Sequence, residues 1–368
     1  MKKISAKTAL RKYNIYLKKG ILGEASAIIK NYFTGFNRVA LITNDTINGI
    51  YSESINTLCD SIGVKYDIIS LGDGEEYKTL EHIEPVYSKL VNSDFHRDDI
   101  IIAFGGGVVG DTAGYIASTF HRGTRLIQMP TTIIGQVDSS IGGKVVVNFM
   151  GIKNIIGSFY QPHMIIMDPL LLESLDERQV VNGLGEIVKY GLVFDMKIIR
   201  ILEKIINENE YRLSGLVKHD EFIDIIYRCA EIKVKVVEKD EFDCGYRNLL
   251  NFGHTIGHSI ENASGLKGVS HGEAVAMGMM AAMEISVTMG ISKESEKERI
   301  KQFFKKLGIP YKIPKINVEK IIEGLKYDKK FTSGTNKFVL LKKINRPFLY
   351  RGVSREVILK SINNCIDN

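Results

Sequence analysis

The sequence predicts an α/β N-terminal half followed by a mainly α-helical C-terminal half, and three observations predict it. Up to about Leu170, short β-branched runs alternate with helically spaced segments, as in parallel βαβ units. Beyond Leu170 helical spacing dominates. A glycine-rich turn follows the strongest strand signal and opens a helical pattern, which makes the expected sheet Rossmann-like. A single boundary at Asp168-Pro169 gives domains 1–169 and 170–368, with the active site expected in the cleft between them.

In order, Arg38 to Thr43 and Val64 to Leu71 read as strands, and Tyr77 to Val91 as a helix. Asp99 to Phe104 is an apolar run suited to a strand buried on both faces. Arg125 to Met129 and Met164 to Met167 add two more strands. Then come helices over Glu177 to Phe194, Phe222 to Val237, His254 to Ala263, Gly272 to Met289 and Lys293 to Lys306. The next strand signal is Phe338 to Leu341.

A chain of 368 residues suits two domains, and 44% apolar with 25% charged residues is ordinary for a globular protein. The net charge of +6 is dispersed and argues against a nucleic-acid partner, while local lysines would suit a small anionic substrate. No apolar segment follows the basic start and none approaches a membrane span, so neither a signal peptide nor a membrane partner is expected. The four cysteines (Cys59, Cys229, Cys244, Cys365) form no CxxC pair and read as reduced thiols of a cytoplasmic protein.

Chemistry concentrates in a few segments. Gly105, Gly107 and Gly110 satisfy GxGxxG, a loop whose backbone N–H groups can approach a pyrophosphate, although a tight structural turn looks the same. Gly74 to Lys78 and Pro130-Thr131-Thr132 follow other strands, where polar groups would meet a nucleotide. Gln136 to Lys144, Asn148 and Lys153-Asn154 combine small residues, lysines and amides, as phosphate binding requires and as a basic surface loop also would. Glu186 and Lys189 stand one helical turn apart, a surface ion pair or a buried functional one. Lys233 on its own reads as part of a solvated helix face, and Arg247 could meet a carboxylate. Three of the eight histidines, His254, His258 and His271, fall in one short window. Imidazoles converging on one point can bind a divalent metal, usually zinc; histidines that only pack or cap helices are the alternative.

GGGVVGD (105–111), RGTRLIQMPTT (122–132), QVDSSIGGK (136–144), KNIIGSFYQP (153–162), GEIVKYG (185–191), RNLLNFGHTIGH (247–258) and HGEAVAMGM (271–279) follow one another in the order and spacing of the 3-dehydroquinate synthase family. The chain resembles that family strongly over roughly residues 70 to 290, and the wider sugar-phosphate cyclases share most of these motifs. The resemblance implies conversion of 3-deoxy-D-arabino-heptulosonate 7-phosphate to 3-dehydroquinate and phosphate in the shikimate pathway. It implies a tightly held NAD that is reduced and reoxidised each turnover, a divalent metal (Zn2+ or Co2+), and a homodimer.

By the same resemblance Glu186, His254 and His271 are the metal ligands, and His258 belongs to the proton-transfer network. Lys144, Asn154 and Arg122 resemble phosphate contacts, Arg122 reaching in from a second subunit; Lys153 and Asp138 lie where cofactor and substrate meet. Lys189, Lys233, Arg247 and Asn251 resemble contacts to the substrate carboxylate and hydroxyls. Glu75, Lys78, Gly106, Gly107, Asp111, Thr131 and Thr132 resemble the NAD site, to which Lys144 also contributes. Asp328-Lys329-Lys330 matches a further basic motif.

The sequence departs from the family at Val145, at Phe149-Met150-Gly151-Ile152 where His-Pro-Leu-Gly is usual, at Asp176-Glu177, at Gln179 and at Asn44. An altered loop that still binds phosphate is expected, with changed affinity for the adenosine half of NAD. The rival readings are a sibling cyclase acting on a neutral sugar phosphate, a metal-dependent alcohol dehydrogenase of the glycerol-dehydrogenase type, and an inactive scaffold. The Arg247 to Asn251 segment argues against the first, since a carboxylate needs cations that a neutral sugar does not.

Overall fold

The computed structural model describes residues 1–207, 213–265, 268–326 and 336–367; Asp328-Lys329-Lys330 lies outside them. The chain forms two compact units, Met1–Ser174 with Lys233–Phe242, and Leu175–Ile232 with Asp243–Asn368.

The first unit contains strands β1 (Lys2–Lys7) and β2 (Lys12–Leu17), helix α1 (Ala25–Tyr32), β3 (Arg38–Asn44), α2 (Asp45–Ile62), β4 (Lys65–Leu71), α3 (Leu80–Asn92), β5 (Ile100–Gly105), α4 (Gly107–Thr119), β6 (Arg125–Pro130), β7 (Lys144–Phe149), β8 (Ile152–Phe159) and β9 (Met164–Met167). Seven strands make one sheet in the order β1-β2-β9-β6-β5-β3-β4. Its pairs are parallel except β1 with β2.

Strand β5 shows why this sheet forms. Its six residues are all buried, and alternate side chains face opposite sides. Ile100, Ile102 and Phe104 pack with Ile29, Ile55 and Leu58 of α1 and α2. Ile101 and Ala103 pack with Ile83 and Val86 of α3 and Ala113 and Ile116 of α4. Each such Ile contributes about 1.5–3 kcal/mol by leaving water. From β3 the chain steps outward to β4, then returns to β5 on the opposite side of β3. The strand order therefore reverses between β3 and β5, where open α/β sheets bind ligands beyond the strand C-termini. The glycine turn follows β5 at this point.

Four strands of this unit were absent from the sequence reading. β1 and β2 alternate regularly but are short, and each buries only two or three residues, so their signal is weak. β7 and β8 pair as an antiparallel hairpin outside the main sheet. Its two-residue turn, Met150-Gly151, has φ of 49° and 76° and joins the paired residues Phe149 and Ile152. Positive φ at both turn residues is the I′ geometry, which matches the twist of the flanking strands. This is the conformation taken by the segment that departs from the family pattern.

The second unit contains α5 (Glu177–Val193), α6 (Met196–Ile206), most of α7 (Asp220–Lys239), α8 (His254–Ser264), α9 (His271–Thr288), α10 (Glu294–Leu307), α11 (Val318–Lys326), the antiparallel pair β10 (Lys337–Leu341) and β11 (Pro347–Arg351), and α12 (Arg355–Cys365). α9 is apolar all round and buried over most of its length, the mark of a central core helix. Two of the departures turn out to be helix caps. The Asn44 side chain accepts from Ile47 N at 3.1 Å to start α2, and Asp176 accepts from Gln179 N at 2.7 Å to start α5.

Candidate active site

In the first unit the glycine turn opens α4 with Gly106 at the N-cap, and no side chain caps the first turn. Its N–H groups are thus unclaimed by side chains, which suits a diphosphate at a helix N-terminus. A Cβ on Gly106 would lie 3.0 Å from the Thr132 methyl, and one on Gly107 would lie 3.4 Å from Ser139 Oγ. Thr131 N donates to the Gly105 carbonyl at 3.0 Å, bringing the two turns side by side. Among the described residues the buried Thr131 hydroxyl has no hydrogen-bond partner, so it has capacity for a ligand. These residues fit a dinucleotide.

Beside this turn lies a closed polar network. Lys78 Nζ, nearly buried, donates to Asp111 Oδ2 at 2.6 Å and to Asn154 Oδ1 at 2.7 Å. Burial pushes the Asp111 carboxyl above its usual range, against the opposing pull of Lys78. Asn148 Nδ2 donates to Glu75 Oε1 at 2.9 Å and to the Glu75 carbonyl at 3.3 Å, while its Oδ1 accepts from Asn154 N at 2.8 Å. The Asn148 N–H donates to the Lys78 carbonyl at 2.7 Å. Asn154 is held at φ 55°, a left-handed conformation that asparagine tolerates better than most residues.

The hairpin is therefore tied to Glu75 and Lys78 through Asn148. The sequence pointed to Asn148 only as one polar residue of an anion-binding segment. Lys144 and Lys153 are exposed on β7 and β8. Lys233, which the charge pattern of its helix alone would leave solvated, is 7% exposed and ion-paired with Asp138. Arg122 stands apart, exposed at φ 62° beside His121 at φ 49°, and lines a cavity at the opposite end of the strands.

In the second unit Glu186, His254 and His271 offer one ligand atom each, all within 4.8 Å of one another. His254 Nε2 is 3.2 Å and His271 Nε2 is 3.4 Å from Glu186 Oε1. The far nitrogens are engaged, His254 Nδ1 with the Phe252 carbonyl at 3.3 Å and His271 Nδ1 with Glu261 Oε2 at 3.2 Å. Both rings thus turn Nε2 toward the carboxylate, the orientation that outer partners impose on metal-ligating histidines.

Glu186 Oε1 is fully buried and faces both Nε2 atoms, with no well-formed hydrogen bond among the described residues, an arrangement that suits a cation shared by the three. Burial alone would raise the Glu186 carboxyl, but Lys189, ion-paired with Oε2, and the imidazoles hold it well below the usual carboxylate range. Burial carries His254 down to about 4 against the pull of Glu186. Burial opposes the His271 imidazolium as well, but Glu186 and Glu261 raise it to about 10; a divalent ion would take the place of that proton. The donor set, two imidazoles and a carboxylate, fits zinc or a similar ion.

Two glycines make this approach possible. A Cβ on Gly272 would strike the Asn182 carbonyl of α5, and one on Gly185 would strike the Gly272 carbonyl. The α5 and α9 backbones therefore meet directly, with Gly272 N donating to Asn182 Oδ1 at 2.6 Å. His271, the neighbour of Gly272, thereby reaches Glu186.

His258 is exposed one turn beyond His254, its ring 5.3 Å from His254 and 5.8 Å from His271. It lies beside the ligand group, not in it. Arg247 is buried and Asn251 half-buried in the 3₁₀ turn Tyr246–Asn251 that leads into α8. Glu261 was missed from sequence; its spacing of seven from His254 would have placed it on the same helix face.

Fold and site together define a class, the two-unit α/β and α-helical enzymes with a metal centre on the helical unit. 2-Deoxy-scyllo-inosose synthase, solved with carbaglucose-6-phosphate, NAD+ and Co2+, is similar over 99% of this chain and 100% of that one, with a TM-score of 0.84 and 26% identity. 2-Epi-5-epi-valiolone synthase from Streptomyces hygroscopicus, solved with NAD+ and Zn2+, shares the fold over 98% of both chains, with a TM-score of 0.87 and 24% identity.

The chain belongs to the 3-dehydroquinate synthase family: residues 68–182 match the family's N-terminal profile and 183–331 its C-terminal profile. The 3-dehydroquinate synthase of Clostridium acetobutylicum is 38% identical, covering 97% of this chain and 98% of its own.

Proposed function

We propose that the chain converts 3-deoxy-D-arabino-heptulosonate 7-phosphate to 3-dehydroquinate and phosphate, using a catalytic NAD and a divalent metal, zinc or cobalt. The observation that carries this reading is the convergence of Glu186, His254 and His271, with both imidazoles oriented by outer partners, in a chain of this family. Its membership of the 3-dehydroquinate synthases at 38% identity favours that substrate over those of the sibling cyclases, the nearer of which is 26% identical.

In this reading the first unit holds the cofactor and the phosphate. Gly106 and Gly107 receive the diphosphate, with Thr131, Thr132, Glu75, Lys78 and Asp111 around the nucleotide. Lys144, Lys153 and Asn154 supply cationic and amide donors for the phosphate, and Asp138 sets the direction of Lys233 through their ion pair.

In the second unit Glu186, His254 and His271 hold the ion. Lys189, Arg247 and Asn251 serve the substrate carboxylate and hydroxyls, and His258, close to the ligands yet exposed, moves a proton. When bound, the ion supplies Lewis acidity toward hydroxyls and NAD a reversible hydride acceptor. The protein works as a cytoplasmic homodimer in which Arg122 reaches the phosphate of the second subunit.

Phosphate release from 3-deoxy-D-arabino-heptulosonate 7-phosphate, followed with catalytic NAD and zinc before and after chelation, tests the reading. The expected result is release that stops on chelation, with dehydroquinate formed and no NADH accumulating. Turnover of glucose 6-phosphate or sedoheptulose 7-phosphate instead would assign a sibling reaction, and stoichiometric NADH a dehydrogenase.

A further inference from the structure

The three side chains proposed to hold the ion are not fixed by equal means. Glu186 is buried within α5 and ion-paired with Lys189. The His254 side chain is 10% exposed, and its Nδ1 meets the Phe252 carbonyl, two residues back along the chain. The His271 side chain is 33% exposed, at the first position of α9. Its backbone is held, because Ser270 N donates to Glu273 Oε2 at 2.7 Å and Gly272 N to Asn182 Oδ1. That does not fix its ring, since the outer torsion of a histidine side chain is broad and roughly two-fold. The group that meets His271 Nδ1 comes from another helix: Glu261 Oε2 of α8, at 3.2 Å.

The packing of α8 on α9 brings Glu261 there. A Cβ on Gly278 would strike the Gly253 carbonyl, and one on Gly257 would lie 2.8 Å from the Ala274 carbonyl. Advancing along α8 from Gly253 to Gly257 therefore moves back along α9, from Gly278 toward its start. One further turn of α8 carries Glu261 to His271. A carboxylate that accepts from Nδ1 leaves Nε2 for the ion and sets its direction, because both nitrogens belong to one rigid ring. It also makes the imidazole a stronger ligand, which the neutral Phe252 carbonyl does less for His254.

We propose that Glu261 is a positioning residue of this metal centre: its hydrogen bond with Nδ1 turns His271 Nε2 toward Glu186, and so sets how tightly a divalent ion is held. This rests on the reading of Glu186, His254 and His271 as the ligands.

Zinc affinity of the full chain, measured by competition with a chromophoric chelator, tests it. The visible absorption of the Co2+-loaded protein and the melting of the metal-free protein accompany that measurement. Glu261→Ala should weaken zinc binding by about 10–100-fold and shift the Co2+ bands. Glu261→Gln, whose amide oxygen still accepts from Nδ1, should recover most of that loss and melt near the native protein without metal. Native-like zinc affinity in Glu261→Ala would overturn the proposal. A glutamine variant as weak as the alanine one would also overturn it, since charge and not orientation would then act. So would a loss of zinc matched in both variants by collapse of the metal-free fold, which would assign Glu261 a structural role. His254→Ala tests the ligand reading separately: zinc affinity unchanged in that variant would sink the ligand assignment, and the proposal with it.

Discussion

Asn148→Ala should loosen the network that ties the β7–β8 hairpin to the nucleotide side of the first unit. The change removes two bonds donated to Glu75 and one accepted from Asn154 N, at a residue only 9% exposed. At about 1 kcal/mol net per bond the loss is about 2–3 kcal/mol. For a unit of this size that lowers the melting temperature by roughly 4–12 °C. Thermal melting followed by circular dichroism measures it, and a backbone amide spectrum reports whether Asn154 leaves its left-handed conformation.

Asn148→Asp separates hydrogen bonding from charge. It keeps an acceptor for Asn154 N but sets a second carboxylate against Glu75. It should melt below the alanine variant at neutral pH, and the gap should close as acid neutralises the introduced carboxylate. If Asn148→Ala melts with the native protein and the Asn154 amide is unmoved, the network does not hold the hairpin and the reasoning fails.

Gly272→Ala should destabilise the helical unit by at least about 1–3 kcal/mol, because its Cβ meets the Asn182 backbone, which cannot step aside as a side chain could. Chemical denaturation checks this, with Gly23→Ala, where nothing lies within 4 Å of an added Cβ, as the silent control. Acid should also weaken the fold through His163. Burial, with Arg11 and Arg125 nearby, lowers this imidazole from 6.5 to about 3, so the unfolded chain takes up a proton that the folded chain refuses. The stability is present above about pH 6.5 and drains as pH falls toward 3; at pH 5 the loss is about 2 kcal/mol. His163→Asn, which can still accept from Leu126 N, should flatten that part of the pH profile of stability.

The sheet was legible wherever strands are buried on both faces, since β5, β6 and β9 show as apolar runs of the right length. β1 and β2 were not, because six-residue strands with only one buried face carry few apolar positions. The hairpin escaped because its turn, Met150-Gly151, carries methionine where the Asn-Gly signal of a I′ turn has asparagine. At the site, motif order singled out Glu186, His254 and His271, whereas helical spacing alone would have paired His254 with His258. The structure shows why such spacing is ambiguous. His271 enters from another helix, and the Gly185–Gly272 approach, not periodicity, sets its distance from Glu186. Charge pattern alone would have left Lys233 on a solvated face, because it does not reveal that Asp138, far away in sequence, lies against it.

Glu186 stands on α5, far along the chain from His254 and His271 at the starts of the consecutive helices α8 and α9. An ion shared by them ties those helices together, and the entropy of closing such loops grows only slowly with their length. Metal uptake and folding of the helical unit then become one linked equilibrium. A cell short of the metal would then hold less folded protein as well as less active protein.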